Sequence, residues 1–472
     1  MVLECVCLSV CRASGRGHPY ECAAVDPLLP RTGFVASGHR SAANAAMSGK
    51  EEDDEQEDAF EYCPGGYHPL TFGEWLNQGR YFCTRKLGWG QFSTVWLAWD
   101  NLEKRFVALK VIKSAQQYAD VARDEMRLLA EVRRHHSQEG IIGADRVVQM
   151  LDSFTLTGPN GNHQCMVFDV LGVTLLKLIA ESDYKGIPLT HVKQVIRQVL
   201  EGLHYLHAVC GVIHCDIKPE NILLATTQDQ VRRLAAEAFD LVESGRSLPA
   251  SFTCSCSLAL RRRRSLCFWD KVRYSILGPE DVGLPSHLKD DTDMRRQLLV
   301  AADPLGPSSV VIADLGNACY IDNHFSDEIQ TRQYRCYEVL IGGEYGPSAD
   351  IWSVACVAYE LATGRFLFSA QANEHGSVTE NHLAAIDALL GPVPKHIALS
   401  GHLSRRIYMH DGQLRPDLKQ VSTSIEKLLM KESGMDATEA GKFSDFLKYL
   451  LDLDWKKRPS AYEALQHPWL KN

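Results

Sequence analysis

The stretch VIHCDIKPEN, Val212 to Asn221, puts an aspartate, a lysine and an asparagine into one decapeptide. Moving a phosphoryl group to a hydroxyl needs an acceptor for the hydroxyl proton, a cation beside the moving group and an oxygen ligand for a metal. Asp216, Lys218 and Asn221 are those three residue types, in that order. Where such loops usually carry arginine after the histidine, this chain has Cys215.

Working outward, the other requirements of that chemistry follow at the expected distances. SVVIADLGNA supplies a second metal ligand, Asp314, after an apolar strand, with Leu315 in place of the usual phenylalanine. Upstream, the nine residues Leu87, Gly88, Trp89, Gly90, Gln91, Phe92, Ser93, Thr94 and Val95 form a glycine turn between two strand-like runs. Its two glycines let backbone N–H groups approach phosphate oxygens; the third glycine of the common pattern is Ser93 here. VALK then places Ala108 and Lys110 on the next strand, and Glu125 follows on a helical segment as the partner of that lysine. Taken one at a time, each has an ordinary reading: a hairpin turn, a surface lysine, a surface glutamate. Together and in order they predict a protein-kinase fold using ATP and Mg2+. A P-loop enzyme is disfavoured because GxxxxGK[ST] does not occur.

The fold class expected is α+β and bilobal, a small β-rich N-lobe over about 81–171 and a larger α-helical C-lobe over about 172–472. YFCTRKLGWGQFSTVWLAWD, RFVALKVIKS, VVQMLDSFTL and HQCMVFDVLG carry the strand signals of the first lobe. ADVARDEMRLLAEVRRHH is helical, with Val121, Leu128, Leu129 and Val132 as its apolar face. THVKQVIRQVLEGLHYLHAV repeats apolar residues at i, i+3 and i+4, and SADIWSVACVAYELATG is apolar nearly all round, the mark of a buried helix. Residues 1–61 are expected as a disordered extension, with Met47 as an alternative initiator, ending in EEDDEQEDAFE, eight acids in eleven positions and a solvated tail in its simplest reading. An insert over about 227–307 interrupts the domain; it is expected to be largely disordered, with a short helix in DQVRRLAAEAFDLVE.

The chain has 472 residues, a formal net charge of −9 and 15 cysteines. The acidic balance disfavours general nucleic-acid binding. The cysteines include no CxxC pair and no zinc spacing, so they are read as reduced thiols. No apolar run approaches the ~18 residues of a membrane span, and no signal peptide is expected.

CPGGYHPLTFGEWLNQGRYFCTRKLGWGQFSTVWLAWD, IRQVLEGLHYLH, DIKPENILL and IADLGNACYIDNHFSDEIQTRQYR resemble the SR-protein kinases, over about Tyr62–Thr227 and Ser309–Leu470. That resemblance implies a serine/threonine kinase acting on Arg/Ser-rich proteins such as splicing factors, cytoplasmic and nuclear, controlled through a spacer that splits the lobes. It implies that Leu87 and Val95 roof the adenine and Leu223 floors it, with Phe168 before hinge residues Asp169 and Leu171. It further implies that Thr331 bonds Asp216 and Lys218, that Glu338 pairs with Arg458, and that Asp350 holds the catalytic-loop backbone. The bland alternative for Asp350 is an acid favoured at a helix N-terminus. The family has threonine where Cys215 stands and resembles constitutively active enzymes. Activity without activation-loop phosphorylation is therefore expected, the segment being held by Gln330, Arg332 and Arg335. A monomer acting without direct contact to nucleic acid or membrane completes the expectation.

Some positions depart from the family. At three positions aligned with acids of its substrate groove stand Arg365, Asn381 and Ala388, which puts processive docking of long Arg-Ser tracts in doubt. Glu220, Asp327, Glu328 and Asp387 remain as candidate partners for a substrate arginine, against the alternative of solvated acids. RRRR, Arg261 to Arg264, is a candidate localisation or pseudosubstrate tract, or a bland stretch of the insert. The competing functional readings are a LAMMER-type dual-specificity kinase and a non-catalytic pseudokinase scaffold. Lys110, Asp216, Asn221 and Asp314 are all present, which weighs against the latter.

Overall fold

The computed structural model describes residues 57–136, 140–246, 248, 266–277, 309–369, 371–373 and 376–471. The chain enters an antiparallel six-stranded sheet at β1 (Trp75–Leu76) and continues through β2 (Tyr81–Gly90), β3 (Ser93–Asp100) and β4 (Arg105–Ile112). The β3–β4 turn is local chemistry: the Asp100 carboxylate accepts from the backbone N–H groups of Leu102 and Glu103 at 2.9 and 3.2 Å. Helix α1 (Gln116–His136) follows, and β5 (Met150–Gly158) and β6 (Gly161–Phe168) complete the sheet in the order β1-β2-β3-β4-β6-β5. Helix α1 buries Ala122, Glu125, Leu128, Leu129 and Val132. Val121, expected on that face, is instead 44% exposed. The face is set by Ala122, Glu125, Leu129 and Val132, and Val121 lies a residue off it.

The C-lobe starts with β7 (Leu171–Thr174), α2 (Leu175–Glu181) and α3 (Leu189–His204). Between β8 (Val212–Ile213) and β9 (Ile222–Ala225) lies the decapeptide loop. β9 is the middle strand of a three-stranded sheet in the order β10-β9-β7, with β10 at Val310–Ile312, and β8 pairs with β11 (Cys319–Tyr320). The two small sheets tie the two ends of the loop to the strands on either side of Asp314, β9 to β10 before it and β8 to β11 after it. A long helix, Ser348–Thr363, is buried at every position from Ala349 to Thr363, as its all-round apolar sequence requires.

Two segments differ from expectation. Residues 57–61, expected as the end of a solvated extension, are packed on the sheet. Glu57 is fully buried in an ion pair with Lys86, and Glu61 meets Lys113 at 2.9 Å. Residues 62–80, left outside the expected 81–472 domain, lie on the same sheet, with Tyr67, Leu70 and Phe72 buried. In the insert, the short helix expected in DQVRRLAAEAFDLVE is present. Helix α4 (Gln228–Ser244) opens with a Thr227/Gln230 capping box and ends at Gly245, whose φ is +77°. Its Val231, Leu234, Ala235, Ala238, Phe239 and Val242 recur at i, i+3, i+4 spacing and are buried. They pack in one cluster with Phe72, Phe82, Leu97, Trp99, Phe106 and Val170, so α4 covers the outer face of the N-lobe sheet and reaches the hinge. Arg85 of β2 pairs with Glu237 at 2.7 Å. A second helix, α5 (Leu266–Leu277), adds Ile276 and Leu277 to that cluster, and its Arg273 pairs with Asp240 of α4 at 2.7 Å. Residues 1–56 and Arg261–Arg264 lie outside the described residues. Among those described, no helix is long and apolar enough to cross a membrane.

Candidate active site

The loop between β8 and β9 folds so that its polar side chains meet one another. Asp216 is 5% exposed. Its Oδ1 accepts from the Thr331 backbone N–H at 3.1 Å and the Thr331 hydroxyl at 2.7 Å, while Oδ2 accepts from Lys218 Nζ at 2.7 Å. Lys218 also donates to Thr331 Oγ1 at 3.0 Å, which closes a triangle. Asn221 donates to the Asp216 carbonyl at 2.9 Å. This leaves its side-chain oxygen as the ligand atom. Asn317, which sequence reasoning passed over, donates weakly to Asp216 Oδ2 at 3.4 Å. Its only signal was its place three residues after Asp314.

The backbone of the loop is held from below. Asp350, fully buried at the start of the Ser348–Thr363 helix, accepts from the N–H groups of His214 and Cys215 at 2.8 and 2.9 Å. His207, also unforeseen, meets the same carboxylate at 2.8 Å. Asp216 N–H donates to His214 Nδ1 at 3.3 Å, so His214 Nε2 carries the proton and donates it to the Ala313 carbonyl at 3.1 Å. That bond ties the loop to the residue before Asp314. Cys215 takes a left-handed φ of +65° and is fully buried. Its thiol donates to the Ile213 carbonyl at 3.6 Å and lies 3.5 Å from the Cys319 sulfur of β11. The site of the usual arginine is thus apolar and closed.

Across the cleft, Lys110 of β4 donates to both Glu125 oxygens at 2.8 and 3.0 Å and to Asp314 Oδ1 at 3.4 Å. Burial alone would depress this lysine, but the carboxylates of Glu125 and Asp314 outweigh it and hold Lys110 above the usual lysine range. Lys110 in turn holds Asp314 below its ordinary value, burial opposing. Asp314 has φ +63° and a side chain that is 48% exposed, open to a ligand. The strands that carry these groups also carry the expected adenine contacts. Ala108 pairs with Phe168 across β4 and β6, Lys110 with Met166, and Leu223 lies in β9 opposite Thr174 of β7. Leu87 and Val95 stand on the two arms of the glycine hairpin, where Gly88 pairs with Val95 and Gly90 with Ser93. A Cβ added to Gly88 or Gly90 would meet no atom within 4 Å, so these glycines face open space rather than packing. Asp169, at the hinge, is tied to Arg105 at 2.9 Å. Leu171 begins β7 beyond it.

The activation segment is fastened by bonds among its own residues and to the helix Ser348–Thr363. Gln330, at φ +69°, donates to the Ala349 carbonyl at 2.8 Å and to Ser353 Oγ at 2.9 Å, and accepts from Cys336 N–H at 2.9 Å. Arg335 donates to the Gln330 carbonyl at 2.9 Å and pairs with Glu328 at 2.7 Å, while Arg332 reaches Thr379 at 3.0 Å. Beyond it, Glu338 and Arg458 form a fully buried bidentate pair at 2.8 and 2.9 Å.

The candidate substrate contacts divide. One oxygen of Glu220 is buried without a hydrogen-bond partner, and burial pushes its carboxyl up. Glu328 is committed to Arg335, which reduces its availability to a substrate; Asp327 stays exposed. Asp387 is half-buried, and that burial raises it. Arg365 is exposed, whereas Asn381 and Ala388 are buried. Asn381 donates to the Gln371 and Gly376 carbonyls at 2.6 and 3.1 Å and so serves the loop ahead of its helix.

The protein kinase domain family matches residues 81–241 and 298–470. The chain is 39% identical to SRSF protein kinase 3 of Mus musculus over 89% of this chain and 91% of that protein. It is 36% identical to protein kinase dsk1 of Schizosaccharomyces pombe over 88% of this chain and 85% of that protein. It is 38% identical to serine/threonine-protein kinase SRPK of Physarum polycephalum over 90% of this chain and 93% of that protein. With its split kinase domain, its two-lobed fold and this identity along both lobes, the chain belongs to the SR-protein kinase family of serine/threonine protein kinases.

Proposed function

We propose that the protein transfers the γ-phosphate of ATP to serine in Arg/Ser-rich proteins such as splicing factors, and does so without a phosphate on its activation loop. The observation that carries the chemistry is the triangle of Asp216, Lys218 and Thr331. The Asp216 carboxylate accepts the serine proton, held in orientation by Thr331 and Lys218. Lys218 offsets charge on the moving phosphoryl group, and Lys110, fixed by Glu125, binds the nucleotide phosphates. The hard oxygen donors of Asn221 and Asp314 fit Mg2+, and these residues would hold it. When bound, the ion supplies positive charge against the phosphates. Leu87, Val95, Ala108 and Leu223 enclose the adenine, with Phe168 before the hinge.

Independence from phosphorylation rests on Gln330 and Arg335, which already make the bonds a phosphate would otherwise organise. Buried Cys215 could not grip a phosphate. Treating the enzyme with phosphatase and then assaying an Arg-Ser peptide tests this: unchanged activity is expected, and a loss of tenfold or more contradicts it. Glu220 is proposed as the partner of an arginine beside the target serine. Control would act through location, between cytoplasm and nucleus, by way of the insert. Deleting residues 278–307, which leaves helices α4 and α5 in place, and imaging the distribution tests that part, an unchanged distribution counting against it. The enzyme is taken to act as a monomer, without nucleic acid.

A further inference from the structure

Ahead of the catalytic sheet, residues 57–72 form a strap along its far end. Glu57 holds Lys86 of β2 and the Tyr62 hydroxyl. Glu61 holds Lys113, whose ammonium lies 4.3 Å over the Tyr67 ring and 5.7 Å from the Tyr118 ring. The strap is tied by backbone bonds from Gly65 N–H to the Asn160 carbonyl at 3.0 Å and from Ser114 N–H to the Gly66 carbonyl at 3.1 Å. The Asn160 amide donates to the Tyr67 carbonyl at 2.6 Å. Gly66 has no room for a side chain, since a Cβ there would lie 1.8 Å from the Glu61 carbonyl oxygen. Tyr67 is therefore carried on a fixed backbone, and it is 1% exposed.

Its hydroxyl donates to the Gly90 carbonyl at 2.7 Å. Gly90 is the second glycine of the hairpin proposed to cover the ATP phosphates, in a stretch that faces open space. Two residues on, the Phe92 carbonyl accepts from the N–H of Lys113, the residue after β4 whose side chain Glu61 of the strap holds, at 2.9 Å. We propose that Tyr67 is a positioning residue for nucleotide: its hydroxyl, anchored through the strap, holds the glycine-rich turn at the height where its N–H groups meet phosphate oxygens. Without that bond the hairpin spends part of its time away from this position, and the binding-competent fraction falls. Burial pushes the Tyr67 phenol up, so it stays a donor through the physiological range.

The inference rests on the reading of the hairpin as the ATP-covering loop. The test compares wild type, Tyr67→Phe and Asn160→Ala in the full chain. It measures ATP binding by calorimetry, KM for ATP, KM for an Arg-Ser peptide, kcat and Tm. Loss of one hydrogen bond is expected to weaken ATP binding and raise its KM about two- to tenfold in Tyr67→Phe. Peptide KM and Tm should stay unchanged, and Asn160→Ala should shift ATP binding less in the same direction. An unchanged ATP affinity in Tyr67→Phe overturns the proposal. So does a change in which ATP KM, peptide KM and Tm all move together, the mark of a merely structural role. A wild type that does not bind ATP overturns both this inference and the reading beneath it.

Discussion

At the scale of single residues, Cys215 marks the largest departure from a common kinase loop. It fills a closed apolar site between β8 and β11, so replacing it with threonine should keep kcat within about twofold. Cys215→Arg should instead bury an uncompensated charge and cost about 3 kcal/mol or more of stability. Thermal unfolding of both variants checks this, and a stable, phosphate-dependent Cys215→Arg enzyme would contradict it. A second residue with a measurable signature is Glu360. Burial pushes its carboxyl up to about 7, with the Tyr334 hydroxyl at 2.6 Å opposing the rise. The folded protein thus keeps a proton that the unfolded chain releases at lower pH. Stability from this group is present in acid and is lost as pH rises through about 7. Between pH 6 and 8 wild type should lose about 1 kcal/mol more than Glu360→Gln, read from denaturant midpoints. Equal losses would mean that Glu360 ionises normally. Asp216, Lys218 and Asn221 were legible because they meet within one loop, where spacing alone sets the geometry. Tyr67 and Gly90 lie 23 residues apart, and Cys215 and Cys319 lie 104 apart. No spacing rule connects such pairs, since only the completed sheet brings them together.

Among elements, helix α4 carries the most consequence. The sequence offers a short helix there, but a helix expectation does not say which surface its apolar face covers. The covering surface is the outer face of the N-lobe sheet, and the cluster includes Val170 between the hinge residues Asp169 and Leu171. Phe239 stands 5.2 Å from Phe72 and 6.2 Å from Phe82, ring to ring. Phe239→Ala should therefore cost about 3 kcal/mol or more of stability and raise the KM for ATP through the hinge. The same truncation at exposed Tyr274 of α5 should do neither. Measured Tm and KM for the two variants decide whether α4 is part of the kinase domain or a passenger. The end of the acidic run teaches the same lesson, since composition marked it as solvated. Glu57 and Glu61 escape that average because Lys86 and Lys113 offer them specific partners.

For the whole molecule, a formal net charge of −9 and the proposed Arg/Ser-rich substrate make the expected encounter electrostatic. The efficiency kcat/KM for an Arg-Ser peptide should fall as ionic strength rises, because exposed charge pairs are screened beyond about 10 Å at 0.1 M salt. Arg365 is exposed and Asn381 and Ala388 are buried, so none of the three offers a carboxylate to a substrate arginine. Short Arg-Ser peptides should then be phosphorylated nearly as well per serine as long ones. The two lobes, their order and the cleft between them were legible because several motifs had to occur in one sequence. The seat of the strap and of α4 was not, since both depend on surfaces that exist only after folding. The most direct measurement is the initial rate of phosphate transfer from ATP to serine in an Arg-Ser peptide by phosphatase-treated wild type and by Asp216→Asn. Wild type should be active and the variant about 10²- to 10⁴-fold slower in kcat with ATP affinity retained; equal rates in the two, or an inactive wild type, would contradict the account.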